Sequence, residues 1–201
     1  MAKAKHKPDK VKKTKKTAAA PQPKRMPGEI EETVVHISSD NYRHYLQGAY
    51  ALGGRYADCK GRVIGFKKGK GYLFKSLYVG FMECAGDYIE GEEDHVWVYD
   101  AEPFIEKGVT LGDNVSFTGI VYPYKRQDGS RDYGLKDCFD IEVVEKYSLP
   151  DNETVSRQSV EGIICDTLCL YAEQCTGTCI VPEQKEEMIE MLLHPDDDGA
   201  A

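Results

Sequence analysis

The sequence predicts a mainly β protein, with a five-stranded β-barrel at residues 56–147, a helix before it and a small helical appendage after it. Alternating apolar and polar runs separated by glycine-containing turns fill residues 56–147, and this pattern is typical of strands. The flanks differ in charge: residues 1–25 hold ten Lys or Arg and one acidic residue, whereas residues 148–201 hold two and twelve. The net charge of −8 therefore combines a basic arm with an acidic remainder.

The chain before the barrel divides into two segments. Residues 1–28 are predicted to be a disordered basic arm, because they are rich in lysine and lack hydrophobic periodicity. Such an arm can lie along a phosphate backbone, or it can serve as a targeting or solubilising tail. Residues 29–55 are predicted to hold a lead-in strand at 33–35 and a helix at 41–52 that stops at a glycine pair.

Five strands are expected in the barrel, at about 57–66, 71–82, 95–99, 115–124 and 133–145. The acidic segment 86–94 is predicted to be a loop. Residues 101–107 are predicted to be a short helix between the third and fourth strands. Five strands with a helix at that point follow the order of an OB-fold, a small barrel that binds oligonucleotides or oligosaccharides.

Four segments in this region resemble the cold-shock-type OB domains, and they occur in the same order as in that family. They are KGRV at 60–63, KGYLF at 70–74, HVWVY at 95–99 and LGDNVSFTGIV at 111–121. By this resemblance, Tyr72 and Phe74 correspond to the aromatic residues of the first nucleic-acid-binding motif. Trp97 and Tyr99 correspond to the aromatic residue and the histidine of the second. The resemblance therefore implies binding of single-stranded nucleic acid.

The chain also departs from the cold-shock pattern. Gly65 stands where the family has a base-stacking tryptophan, and Leu73 replaces the middle glycine of the aromatic strand. Residues 76–91 extend the chain between the second and third strands. The resemblance covers about 90 of the 201 residues.

The predicted binding surface combines aromatic side chains that stack on unpaired bases with cations that neutralise phosphates. Its main part is on the first three strands and comprises Phe66, Tyr72, Phe74, Trp97 and Tyr99 with Arg62, Lys67, Lys68, Lys70 and Lys75. A second part is the hairpin between the fourth and fifth strands, with Tyr122, Tyr124, Lys125, Arg126 and Arg131.

The alternative is that the same aromatic residues form the core. Because side chains alternate along a strand, an outward Trp97 places Val96 and Val98 inside, which suits the apolar valines. Tyr72 and Phe74 share a face by the same rule, and they can belong either to the binding surface or to the core.

The late cysteines have the spacing Cys165-x3-Cys169-x5-Cys175-x3-Cys179. Four thiolates can bind one zinc ion tetrahedrally. The alternatives are small packed thiols on helices or a disulfide or redox role. The chain has seven cysteines and no secretion signal, which favours reduced thiols or a metal site over a disulfide framework.

The sequence predicts a non-enzymatic binder of single-stranded DNA or RNA that requires no cofactor. It contains no phosphate-binding loop of the Walker type and no nucleophile elbow, and its five histidines are scattered. The alternative function is a protein–protein adaptor or inhibitor, in which the OB face or the cysteine-rich tail docks a partner. The acidic C-terminal region would suit recruitment of a replication, transcription or translation protein.

The expected location is intracellular, in the cytoplasm or nucleus, or in a host cell if the protein is viral. The N-terminus has no apolar segment of the kind found in secretory signals. No apolar run approaches the ~20 residues of a membrane span, so no membrane partner is expected.

Overall fold

A computed structural model describes residues 25–30, 43–67, 71–148, 156–176 and 178–194. The predicted lead-in strand and most of the predicted basic arm lie outside these residues. The prediction of disorder is wrong for residues 25–28, which form a turn beside the sheet. Met26 in this turn is only 6% exposed, and Glu29 bridges to Tyr124. The turn is held because the Glu29 carboxylate accepts the Met26 N–H and pairs with Lys136.

Five strands form one sheet, as predicted. They are β1 (Tyr56–Lys67), β2 (Gly71–Met82), β3 (Tyr88–Val98), β4 (Asn114–Lys125) and β5 (Arg131–Glu145). The spatial order is β1-β2-β3-β5-β4, and β4 also pairs with β1, so the sheet closes on itself. All pairs are antiparallel except β3 with β5, which are parallel where Val98 meets Leu135.

The prediction of a loop at 86–94 is wrong for most of that segment. β3 already begins at Tyr88, and its first half pairs with β2 in continuous register from Met82↔Tyr88 to Leu77↔Glu93. The exposed acidic side chains Glu90, Glu92 and Asp94 alternate there with less exposed residues, of which Glu93 is buried. Strand pairing therefore outweighs the low strand propensity of a glutamate-rich sequence.

The helices flank the closed sheet. They are α1 (His44–Leu52), α2 (Glu102–Glu106), α3 (Arg157–Ile163) and α4 (Pro182–Leu193), with a π-helical turn at Ile164–Leu168. The helix that precedes the sheet and the helices that follow it confirm those parts of the predicted architecture. Within the described ranges, no helix has the length and apolar character that crossing a membrane requires.

The interior of the closed sheet is aromatic. Phe104 on α2 lies between three rings of the sheet, with centroid distances of 5.3 Å to Tyr72, 5.7 Å to Phe74 and 5.0 Å to Phe117. All four side chains are buried. The short helix between β3 and β4 therefore closes one opening of the sheet with apolar packing.

Helix α1 is attached to the sheet by a buried carboxylate. Glu93 on β3 accepts hydrogen bonds from the Tyr45 and Leu46 amides at 2.9 and 3.0 Å, which serves two orphan donors of the first helical turn. Burial raises the pKa of Glu93, and the two amides and Arg43 act against that rise. The helix contributes Leu46, which is fully buried, to the main core.

The C-terminal helices pack on the outer face of β1 to β3. Val160, Ile164, Met188 and Ile189 belong to the same apolar cluster as the interior of the sheet. Leu73 points outward between two inward residues, yet it is buried, because it lies in a groove that Met188 and its neighbours on α4 also line. The C-terminal helices therefore cover part of the sheet surface that the sequence predicts to bind a ligand.

Candidate nucleic-acid interface

The structure corrects the predicted roles of Tyr72 and Phe74. These side chains are 3% and 0% exposed, so neither ring is available to stack on a base. The Tyr72 hydroxyl donates to the Val109 carbonyl at 3.1 Å, and burial raises the pKa of Tyr72 to about 12. Phe66 is half-buried, and its centroid lies 4.7 Å from that of Tyr72, so it belongs mainly to the same packing.

Trp97 and Tyr99 face outward, whereas Val96 and Val98 are fully buried, as the alternation predicts. The two aromatic rings lie almost parallel, with an interplanar angle of 12° and a centroid distance of 6.2 Å. Both side chains are half-buried. Their role in binding stays a prediction.

Trp97 lines a groove of about 270 Å³ between α4 and the sheet. The sheet side of this groove also includes Gly65 and Leu73, and the helix side includes Glu183 and Glu187. Lys67 also lines the groove, so a phosphate near Trp97 would meet two carboxylates and one ammonium, and the net negative charge disfavours nucleic acid at this end of the face. The groove is better suited to an apolar or cationic group.

A second concavity, here called the cationic cup, lies across β1, β2 and β4. It has a volume of about 490 Å³ and is lined by Lys60, Gly61, Arg62, Lys75, Ser76, Tyr78 and Asn114. Three of these residues carry positive charge, and Tyr78 is 37% exposed. A hydrogen bond from its hydroxyl to the Glu90 carboxylate raises the pKa of Tyr78 to about 12, so the ring stays neutral.

Two cations of the cup are held in place by backbone carbonyls. Arg62 Nη1 donates to the Gly112 carbonyl at 2.9 Å, and Lys75 Nζ donates to the Cys169 carbonyl at 3.4 Å. An exposed glutamate, Glu145, lies 3.8 Å from the Arg62 guanidinium. Since arginine has five N–H donors and lysine three, these contacts orient the side chains without using all their donors.

The rim of the cup also offers an acceptor. The side-chain oxygen of Asn114 is buried and has no hydrogen-bond partner among the described residues. Because this oxygen is shielded from solvent, a sugar hydroxyl or a base amino group could donate to it only after the Asn114 side chain turns toward the opening of the cup. The cup therefore combines cations, an aromatic face and a neutral acceptor.

Lys60, Tyr78 and Asn114 were absent from the residues that the sequence predicts for binding. A bulge sets three residues of β1, Lys60 to Arg62, opposite four of β2, Lys75 to Tyr78. Ser76 at this bulge has φ of 49°. The bulge brings Lys75 and Tyr78 to the same side, three positions apart, which strict alternation does not predict.

The hairpin between β4 and β5 uses part of its predicted binding residues in its own structure. Tyr122 is buried, and Arg126 donates to the Asp132 carboxylate from Nε at 2.8 Å and from Nη2 at 2.5 Å. The Tyr124 hydroxyl donates to the same carboxylate at 2.8 Å. These side chains are engaged in a structural network. Only Lys125 and Arg131 of the predicted set are exposed there.

Of the remaining predicted cations, Lys67 is exposed at the end of β1. Lys68 and Lys70 lie outside the described residues. The cup therefore gathers Arg62 and Lys75 from the predicted set, and the hairpin cations belong to another part of the sheet.

The four late cysteines line one cavity of about 40 Å³ beside Lys185 and Met188. Burial raises the pKa of the Cys165 thiol, Lys185 lowers it, and the thiols of Cys169, Cys179 and Cys175 raise it further. Within the described residues no ready-made group of three or more metal-ligating side chains occurs. Zinc binding stays a prediction.

The site is thus defined by its geometry: a cationic cup with an exposed tyrosine, and next to it an aromatic groove beneath an acidic helix. The resemblance to cold-shock-type domains stays a prediction. Comparison with known proteins finds no matching family model, no significantly similar curated protein and no significantly similar solved structure.

Proposed function

We propose that this protein binds single-stranded DNA or RNA without catalysing a reaction, and that the cationic cup is the centre of its binding surface. The observation that supports the proposal most directly is the convergence of Lys60, Arg62 and Lys75 on one open concavity beside Tyr78. Single strands are bound by cations that track the backbone and by aromatic faces on which bases stack. The cup supplies both.

The topology supports the same function. The order β1-β2-β3-β5-β4 in a closed sheet, with α2 between β3 and β4, is the order expected of an OB-fold. OB-folds bind oligonucleotides on the outer surface of their strands. The ten Lys and Arg residues in 1–25 add cationic charge that would lower the electrostatic barrier set by the acidic remainder.

The first prediction concerns the charge of the cup. Lys60→Ala is expected to weaken binding of a short single-stranded oligonucleotide. It should also reduce the slope of log K against log salt by about 0.7, because one phosphate contact is lost. Fluorescence anisotropy of a dye-labelled oligonucleotide at several salt concentrations measures both quantities. Lys107→Ala is the matched control, since Lys107 is an exposed lysine on the α2 side and outside the cup. Equal slopes for the two variants would exclude the cup as the binding surface for the oligonucleotide.

The second prediction concerns stacking. Tyr78→Ala is expected to weaken oligonucleotide binding by about 1–3 kcal/mol, whereas Tyr78→Phe keeps the ring and should bind nearly as the parent does. Tyr56→Ala is the control, because Tyr56 is 54% exposed and lies against Phe139, outside the cup. The same anisotropy titration applies. If Tyr78→Ala binds as tightly as the Tyr56 variant, stacking at the cup is ruled out.

The groove supports a second candidate function, a protein–protein adaptor or inhibitor. Its walls combine Trp97 and Met191 with two glutamates, so it suits a peptide that carries apolar and basic side chains. Trp97 is the only tryptophan in the chain, so its fluorescence reports on this groove. A partner protein retained after nuclease treatment, with a change in that fluorescence, would favour the adaptor. An oligonucleotide at the cup should leave the emission of Trp97 nearly unchanged.

A further inference from the structure

The four late cysteines come from separate pieces of backbone and meet at one cavity. Cys165 lies in the π-helical turn, Cys169 directly after it, Cys175 after a 3₁₀ turn, and Cys179 shortly before α4. All four line the cavity of about 40 Å³. The described part of residues 165–179 is thus folded so that its four cysteines reach the same place.

The backbone around Cys169 holds the sulfur in a fixed position. The π-helical turn ends where the Cys169 amide donates to the Ile164 carbonyl at 2.8 Å, and Cys169 itself is extended. The Tyr171 amide then donates to Cys169 Sγ at 3.4 Å. Accepting this hydrogen bond fixes the position of the Cys169 sulfur relative to the backbone of the turn. π-Helical turns are rare and occur frequently at functional sites.

Three of these four cysteines differ in exposure from the packed thiols of the sheet, whereas Cys169 is buried like them. Cys59 and Cys138 are 3% and 5% exposed in the interior of the sheet, and burial raises the pKa of each thiol. Cys165, Cys175 and Cys179 are instead only half-buried. Three half-exposed thiols around one cavity contribute little apolar burial, so packing alone does not account for their convergence.

The charge beside the cavity also fits a thiolate cluster. Lys185 lines the cavity and pairs with Glu161 at 3.2 Å. Four thiolates around a divalent cation carry a net charge of about −2, which a neighbouring ammonium stabilises. Among the described residues, no acidic side chain lines the cavity.

We propose that Cys165, Cys169, Cys175 and Cys179 bind one Zn²⁺ as four thiolates, and that the ion fixes the C-terminal helices on the outer face of β1 to β3. Each thiol loses its proton to solvent, so four protons are released for one bound Zn²⁺. The described side chains do not yet form a closed ligand set, so binding requires rotation of the cysteine side chains to Zn–S distances of about 2.3 Å. The Cys169 carbonyl already accepts a hydrogen bond from Lys75 of the cup, which links the two sites.

The full chain, purified under reducing conditions without chelator, provides the test. Elemental analysis is expected to give one zinc per chain, and replacement by Co²⁺ is expected to give the visible absorption of tetrahedral thiolate coordination. Cys175→Ser and Cys179→Ser should each lower zinc affinity by at least about tenfold, measured by competition with a chromogenic chelator. Cys84→Ser is the control, because Cys84 is exposed and lies outside the cavity.

A second measurement reports on the anchoring role. Removal of zinc is expected to change Trp97 fluorescence, because α4 and Trp97 share a groove. The proposal would be overturned by a folded chain that contains no zinc and whose four thiols all react with a thiol reagent. It would also be overturned by disulfides among these cysteines, each of which lowers the mass by two hydrogens. Neither result decides whether the cup binds an oligonucleotide, because that test uses Lys60 and Tyr78, which lie outside the cavity.

Discussion

Phe74→Ala is expected to lower the free energy of unfolding by about 3–5 kcal/mol, the largest effect we predict for a single apolar side chain of this protein. Phe74 is 0% exposed, and its ring lies 5.2 Å from that of Phe117 and 5.7 Å from that of Phe104. Truncation to alanine removes the ring from the centre of the closed sheet and leaves a cavity that its neighbours fill only in part. Urea denaturation followed by circular dichroism measures the change.

The control for this experiment is Tyr78→Ala, which removes an aromatic ring from the same strand but from the outer side. Because Tyr78 is exposed, its loss is expected to change the free energy of unfolding by no more than about 0.5 kcal/mol. Together the two variants separate core from surface on β2. A Phe74 variant that is fully stable and defective only in oligonucleotide binding would show that Phe74 is a surface residue after all.

Asp132→Ala is expected to destabilise the fold by about 3–5 kcal/mol, because it leaves buried positive charge without its partner. Asp132 is 1% exposed and accepts from Tyr124, from Arg126 and from the Tyr133 amide. The buried Arg43 guanidinium lies 3.7 Å from the same carboxylate. Thermal and urea denaturation give the loss.

Further single substitutions identify which cation depends on the Asp132 carboxylate. Arg126 is 38% exposed, so Arg126→Ala alone should cost only about 1 kcal/mol. Arg43 also donates to the carbonyls of Tyr133 and His95, so it joins β3 to β5 and cannot move to solvent. Asp132→Asn, which keeps the shape of the side chain, should cost less than Asp132→Ala. A loss below about 1 kcal/mol for Asp132→Ala would show that the network is not structural.

Much of the strand arrangement could be predicted from the sequence. Glycine-containing turns and alternating apolar residues mark the limits of β1, β2 and β4 to within a few residues. The outward direction of Trp97 followed from its valine neighbours, because a strand with one strongly apolar set of alternate residues has only one stable orientation. β3 was predicted too short because its first half is acidic, and only its partner β2 shows that it is a strand.

The candidate site was harder to predict. The segment Tyr72-Leu73-Phe74 is apolar at every position, so alternation alone does not say which set faces inward. In the structure both sets are buried, Tyr72 and Phe74 by the interior and Leu73 beneath α4. The helix that covers Leu73 comes more than a hundred residues later, and a local pattern contains no information about such a contact.

The sequence by itself determined the elements of this protein: five strands, the helix between β3 and β4, the helices around them and the four late cysteines. The tertiary structure alone decided which side chains face a ligand. The bulge at Ser76 brings Lys75 and Tyr78 into the cup, and the packing of α4 removes Leu73 from the surface. The physical reason is that element type follows mostly from neighbours along the chain, with the acidic half of β3 as the exception, whereas exposure depends on distant residues that bury or uncover each face.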